Sequence, residues 1–351
     1  MMSSHIDRCR KAIEFQSPDM IPMDLTDVPF LYNAYDTLDP RKVRVPEGAE
    51  CFDSAWCTYH WTFDYCGKNE REEQLRRDEW GCLQTIPKDL NSAYTVVERP
   101  PLDSLEEVRT FPWPKPAVTD WFFESRKEII ETAYPDRFIN GFLDPGPFLV
   151  AFELLGYEKL LYKLYEDIDF VKEVLSRIIA YQKALVPRFK EMGAHMITVI
   201  DEVAGSGGMM FSPETFRDHF LPMFEELFQE IHRNGMYVSI LLDGNISDIL
   251  GDLRKMPIDV QFFAQPLSTG IDVIADWYRG TRTVKVAVDM METLATGTPE
   301  QIKNQVDEYV TKLRTDRGGL LFQALRWHRP EYRPERVRAQ IEAMNCYREI
   351  H

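Results

Sequence analysis

The chain has 351 residues, which is enough for one large barrel or two ordinary domains. An apolar content of 44% and a charged content of 28% are those of a globular protein able to fill a core. Lysine and arginine number 41 against 57 aspartates and glutamates, so the net charge of −16 excludes the basic face that a nucleic-acid binder needs. No apolar run approaches about 18 residues, so no membrane span is expected. The first residues, Met1 to Phe15, carry charges where a signal peptide needs its apolar core. The 6 cysteines form no C-x-x-C pair, which fits a reducing cytosol and a cytoplasmic location.

Taken in order, Ile6 to Phe15 reads as a short amphipathic helix, broken by Ser17-Pro18-Asp19. Ile21 to Leu25 reads as a strand ending near Asp24 and Asp27, and the next strand surrounds Cys51 to Thr58. From Tyr59 to about Pro116 the pattern is irregular, and we expect a capping excursion rather than a separate domain. Regular alternation then begins. Trp121 to Thr132 is helical, Arg137 to Leu143 is a strand, and Asp144-Pro145-Gly146-Pro147 leads into helices over 148–165 and 168–192. The strand Met196 to Ile200 ends at Asp201-Glu202 and a glycine-rich loop, Gly205 to Gly208. Ser212-Pro213-Glu214 is a strong helix start, combining a capping hydroxyl, a proline at the first helical position and an acid at the positive end.

That helix runs to about Arg233 and leads to the strand Met236 to Leu242, which meets the polar turn Asp243-Gly244-Asn245. Ile258 to Phe263 ends near Gln265-Pro266, and Thr283 to Val288 ends at Asp289. A helix opens at Thr298-Pro299-Glu300 and runs to Leu313. Gly319 to Gln323 then precedes Arg326-Trp327-His328, and Pro334 opens the last helix. The count of eight strands predicts a single (β/α)8 TIM barrel over residues 1–351, with a capping segment at about 59–116. An open doubly wound sheet fits less well, because no GxGxxG loop opens an early helix.

A barrel of this kind gathers Asp24, Asp144, Asp201, Glu202, Asp243, Asn245, Gln265, Asp289, Gln323, Arg326 and His328 at one rim. Any one of these acids can simply cap the helix that follows, and helix entry is an adequate account of Asp144. Asp201-Glu202 is harder to dismiss, because about ten residues separate it from its helix. Paired carboxylates hold a metal or serve as acid and base. In the loop from Trp56 to Cys66, Cys57, His60 and Cys66 are competent zinc ligands, but C-x2-H-x5-C is not a zinc spacing. Its aromatics, Trp56 and Trp61 among them, can wall a pocket for a flat ligand, although packing of a cap onto the barrel is the simpler reading.

Several segments together resemble the uroporphyrinogen decarboxylase-like superfamily. They are Arg10 to Asp19 followed by Ile21-Pro22-Met23-Asp24, then Asp78-Glu79-Trp80-Gly81, Gly146-Pro147-Phe148, Phe211 to Phe216, Asp243-Gly244-Asn245, and Pro330 with Pro334-Glu335. The resemblance implies a (β/α)8 barrel, commonly a homodimer, in a group that includes porphyrinogen decarboxylases and zinc-dependent methyltransferases serving corrinoid proteins. The methyltransferases' His-x-Cys zinc motif falls on Leu241 and Asp243, and their last cysteine ligand on or near Arg326. Leucine cannot bind a metal and arginine repels one, so that zinc site is absent. The decarboxylases' arginine-rich segment falls on Thr26-Asp27-Val28-Pro29-Phe30-Leu31, which has no basic residue.

Three functions follow from the resemblance. The first is a methyltransferase that demethylates a small substrate, such as a methoxylated aromatic, and passes the methyl to a corrinoid on a partner protein. Asp201, Glu202 and Asp243 would be acid/base groups, with Glu202 and Asp243 the ligands of any divalent metal such as zinc and His328 or His60 nearby. Asn245 and Gln265 would orient the substrate, with Asp24 and Gln323 also on the rim and the aromatics near Trp56 and Trp61 stacking on it. The second is a decarboxylase or lyase in which Arg326 holds a carboxylate and Asp289 or Asp24 manages protons. The third is a non-catalytic barrel binding a corrinoid or a partner.

Overall fold

The computed structural model describes residues 3–25, 52–59, 63–86, 96–325 and 332–348. Eight strands run parallel: β1 (Met23–Leu25), β2 (Ser54–Tyr59), β7 (Phe138–Leu143), β8 (Met196–Asp201), β11 (Tyr237–Leu242), β12 (Val260–Phe263), β13 (Thr283–Ala287) and β14 (Leu320–Ala324). Their order is β1-β14-β13-β12-β11-β8-β7-β2, and β1 pairs with β2 as well, so the sheet curls round upon itself. Among the described residues, β1 meets β2 through Asp24–Ser54 and Leu25–Ala55. β7 and β13 are buried at every position, as parallel strands covered on both faces must be. The crossover from β1 to β2 lies outside the described residues.

Contacts that skip a strand show which side chains point inward. Lys285 on β13 forms an ion pair with Asp24 on β1, across the intervening β14. Asn140 on β7 donates to Asp24 Oδ2 at 3.4 Å, and Thr198 on β8 donates to Asn140 Oδ1 at 3.0 Å. Gln323 adds a bond to the Asp24 carbonyl at 3.3 Å. The Lys285 ammonium lies 4.8 Å from the Phe262 ring and 5.8 Å from Phe142, so the interior is polar with an aromatic collar. Helix α1 (His5–Ile13), capped by Ser4, closes one end, packing Cys9, Ala12 and Ile13 on Phe138, Met196, Val260 and Leu321.

The excursion after β2 is more ordered than its sequence suggests. It holds an antiparallel sheet of β3 (Phe63–Lys68), β4 (Gln74–Asp78), β5 (Leu83–Ile86) and β6 (Val96–Arg99). The strands are short, and β6 is almost wholly exposed, so no apolar alternation announces them. Helix α2 (Leu105–Thr110) follows, its capping box built by Ser104 and Glu107. Helix α3 (Asp120–Ala133) leads into β7.

The helical stretch expected over 148–165 is two helices, α4 (Pro147–Leu155) and α5 (Tyr157–Glu166). Gly156 divides them with φ of +83°, a conformation that L side chains rarely adopt. Helix α6 (Ile168–Met192) is long and amphipathic and ends at the left-handed Gly193. Between β8 and the next helix stands a hairpin of β9 (Ala204–Gly205) and β10 (Gly208–Met209). Ser212 caps the turn at Pro213 as its sequence predicts, and α7 (Leu221–Arg233) continues from there. Helices α8 (Ile271–Tyr278), α9 (Pro299–Leu313, capping box Thr298 with Gln301) and α10 (Pro334–Arg348) complete the outer layer. No helix of the described residues is long and apolar enough to cross a membrane.

Candidate active site

Parallel strands of such a barrel present their C-terminal ends at one mouth. Asp144 follows β7 there, Glu202 follows β8, Asp243 follows β11, and Asp289 lies two residues past β13. Loops pin these positions. The Asn245 amide donates to the Gly205 carbonyl at 2.8 Å, and a side chain at Gly244 would stand 2.6 Å from the Ala204 and Gly205 carbonyl oxygens.

Two of the acids are occupied by backbone. Asp201 is fully buried, and its oxygens accept from the Phe148 and Leu149 amides at 2.8 Å each and from Glu202 at 3.1 Å. Helix α4 opens with Gly146-Pro147 and has no side-chain cap of its own, so Asp201 of the neighbouring strand serves instead. Asp201, expected as an acid/base group, therefore also caps α4, and burial pushes its carboxyl up to about 7 despite the amides that oppose the shift. Asp289 is only 1% exposed and accepts from Leu267, Met291 and Glu292 amides at 3.2, 3.1 and 3.0 Å. It too builds a turn.

Asp144, which the sequence explains as a helix entry, is thereby released from that duty. Burial, with the Glu202 charge nearby, pushes its carboxyl up to about 7. Burial also pushes Asp243 up to about 7, helped by Glu202, Asp144 and Asp289. Asp243 Oδ1 is buried without a hydrogen-bond partner. Glu202 is exposed to solvent at the mouth, yet the surrounding protein raises its carboxyl as well. The charges bearing on Asp144 and Asp243 are other carboxylates, so near neutral pH both exist partly as neutral acids able to donate a proton.

The remaining expected residues divide by position. Asn245 spends its side-chain oxygen on the Ser247 amide and hydroxyl at 3.1 and 2.7 Å, which shapes the turn. Gln265 opens the short helical turn Pro266–Thr269 beside it. Asp24 and Gln323, expected at the rim, lie inside the barrel, 3% and 0% exposed, because β1 and β14 carry them inward to meet Lys285. Trp56 holds a place in β2 in register with Asn140. His60, Trp61, Arg326 and His328 lie outside the described residues. Lys285 was legible as a lone cation in an apolar strand, although its partner Asp24 was not.

A zinc site of the kind the resemblance implies does not fit the described residues. Leu241 is a buried aliphatic side chain, 4% exposed, and no described thiol joins Asp243. Among the described residues, the acid and thiol groups whose ligating atoms all lie within 4.8 Å of one another are those of Asp78, Cys82 and Glu153, and Glu202 and Asp243 belong to no such trio. That trio lies where the antiparallel sheet meets α4, and an amide hydrogen-bonds both of its carboxyls.

A family model described as uroporphyrinogen decarboxylase (URO-D) matches residues 84–347, well over half of the chain. The chain belongs to the uroporphyrinogen decarboxylase family. Among relatives of this URO-D member, the methylated-thiol–coenzyme M methyltransferase of Methanosarcina mazei is 25% identical over 174 residues. The match spans 47% of this chain and 43% of that protein, less than half the length of either. A solved structure of a methyltransferase from Methanosarcina mazei superposes with a TM-score of 0.71 at 17% identity, covering 98% of this chain and 99% of that one. That likeness establishes a shared α/β fold with a curled parallel sheet, and the URO-D family and these relatives are enzymes.

Proposed function

We propose that this URO-D family enzyme is a methyltransferase that demethylates a small oxygen-linked methyl donor, such as a methoxylated aromatic. The observation that carries the reading is the pair Asp144 and Asp243, two neighbouring acids whose burial holds protons near neutral pH at the barrel mouth. Breaking a methyl–oxygen bond leaves the electron pair on oxygen, and that oxygen leaves readily only if it is protonated. Asp243, with its buried and unpartnered oxygen, donates that proton as general acid, and Asp144 beside it keeps the local charge low. Asn245 and Gln265 flank the substrate, and Glu202, open to solvent, returns the proton between turnovers.

A corrinoid carried by a partner protein, when docked at the mouth, supplies the nucleophile that accepts the methyl group. The described residues at the mouth do not form a zinc site, and the proton on Asp243 takes the activating role. The M. mazei relatives support methyl transfer at the family level, and a donor activated by proton rather than by metal suits an oxygen leaving group better than a thiol. We further read the whole chain as one (β/α)8 barrel of the TIM type, capped by residues 59–116, working in the cytoplasm as a homodimer. Decarboxylation of a carboxylated substrate is the second reading, and the acidic mouth weighs against it.

The test is methyl transfer from methoxyaromatics to a cob(I)amide acceptor. Asp243→Asn is expected to lower kcat by about 10²- to 10⁴-fold, the usual worth of a general acid. In the wild type, kcat/KM is expected to fall about tenfold per pH unit above 7, as the acid loses its proton. Absence of transfer from every donor tried would sink the reading.

A further inference from the structure

The antiparallel sheet meets the barrel through a cluster that the methyl-transfer reading does not use. Asp78 ends β4, Cys82 immediately precedes β5, Gln84 lies in β5, and Glu153 belongs to α4 on the barrel. Gln84 Nε2 donates to Asp78 Oδ2 at 2.9 Å and to Glu153 Oε2 at 3.0 Å, so one amide nitrogen ties the sheet to the helix. Asp78 Oδ1 accepts from the Cys82 amide at 2.8 Å, and the Cys82 thiol also hydrogen-bonds this carboxyl. Asp78, Cys82 and Gln84 are 5%, 0% and 1% exposed. Beside them Trp80 packs edge-on against Tyr181 of α6 at 4.8 Å, and the Tyr181 hydroxyl donates to Glu79 at 2.8 Å.

The charges facing this cluster are few. Arg76 donates through Nε to Gln84 Oε1 at 3.2 Å, and its charge favours the ionised form of Glu153, while Arg77 donates to the Gly81 carbonyl at 2.7 Å. Glu79 and Asp144 add negative charge, from the sheet and from the mouth. A neutral amide can hydrogen-bond two carboxyls, but with one guanidinium nearby it cannot neutralise two anions within 4.8 Å of each other when Asp78 is buried and Glu153 half-buried.

We propose that the Asp78–Gln84–Glu153 junction is a protonation-controlled latch, which fastens the antiparallel sheet to α4 while its carboxyls hold protons and loosens it when both ionise. Burial, the largest influence on each, pushes Asp78 up to about 7 and Glu153 well above the ordinary carboxylate range, in line with that geometry. The sheet follows β2 after three residues, at the end of that strand where the mouth lies. Glu153 also feels the charge of Asp144, which links the latch to the mouth. The inference stands whether or not the enzyme moves methyl groups.

Hydrogen–deuterium exchange on the full chain at pH 6 and pH 9, corrected for the intrinsic rate of exchange, tests it. Amides of β4 and β5 are expected to lose at least tenfold protection at pH 9 while those of β12, which carries no titratable side chain, keep theirs. Glu153→Gln, or Asp78→Asn if the first variant does not fold, is expected to abolish that difference. Equal protection of β4 and β5 at the two pH values in the wild type overturns the latch, and so does an undiminished pH response in a folded variant. A cobalt(II)–thiolate absorption band on titration at pH 9 also overturns it, by showing that the cluster takes a cation in place of protons.

Discussion

At the scale of single residues, the mouth separates acids that serve the backbone from acids that do not. Asp201 and Asp289 each accept three amide hydrogen bonds, whereas Asp243 keeps a buried oxygen without a partner. Burial raises acids of both kinds, Asp201 to about 7 and Asp289 above its ordinary value, but an oxygen without a donor has no hydrogen bond to offset its charge once it ionises. The folded pKa of Asp243 lies near 7 against 3.8 in an unfolded chain, so the folded state holds the proton more tightly. Stability from this group is complete below 3.8, falls as pH rises toward 7, and is level above. Asp243→Asn mimics the protonated form, so it should stabilise the protein by about 1–3 kcal/mol more at pH 8 than at pH 4. Urea unfolding at the two pH values measures this, and an equal effect at both would place the carboxyl in ordinary solvent.

At the scale of elements, helix α4 and the barrel strands depend on partners distant in sequence. Asp201→Ala removes the cap of α4 and should cost about 1–2 kcal/mol, with its effect on kcat far below that of Asp243→Asn. Thermal unfolding together with steady-state kinetics separates the two residues, and a kcat loss equal to that of Asp243→Asn would restore Asp201 to the catalytic set. Inside the barrel, Lys285→Met leaves Asp24 buried without its cation and should cost about 3–5 kcal/mol. The double variant Lys285→Met with Asp24→Asn should recover most of that loss in denaturant melts. No recovery would show that the lysine matters through its packing on Phe142 and Phe262 instead.

At the scale of the whole molecule, Asp53 joins the two ends of the chain. Its carboxylate meets His5 and Arg8 of α1, Arg348 at the end of α10, and the Met23 amide at 3.0 Å. Burial raises its pKa, but the His5 hydrogen bond and the charges of Arg348 and Arg8 outweigh that and hold it below the ordinary value. The stabilisation is therefore present above 3.8 and is lost as pH falls through the lower folded value. Asp53→Ala takes a buried carboxylate from Arg348 and from Arg8, which keeps its pair with Asp19, and should cost about 3–5 kcal/mol at pH 7. Calorimetry reads the cost, and a shift under 1 kcal/mol would show that the termini are held by apolar packing alone.

The sequence alone determined the strand-and-helix alternation, the starts at Ser212 and Thr298, the family, and the four acids Asp144, Glu202, Asp243 and Asp289 beyond strand ends. These are local signals, carried by periodicity, capping chemistry and turn residues close together along the chain. The antiparallel sheet escaped because short, exposed strands have no apolar alternation to read. Only the tertiary structure decided which acids are free. Asp201 is drawn to the amides of α4 more than fifty residues earlier, and Asp24 turns inward to Lys285 more than 250 residues later. The choice depends on which neighbouring backbone or cation lies within about 3 Å, a distance set by the curl of the sheet rather than by position in the sequence.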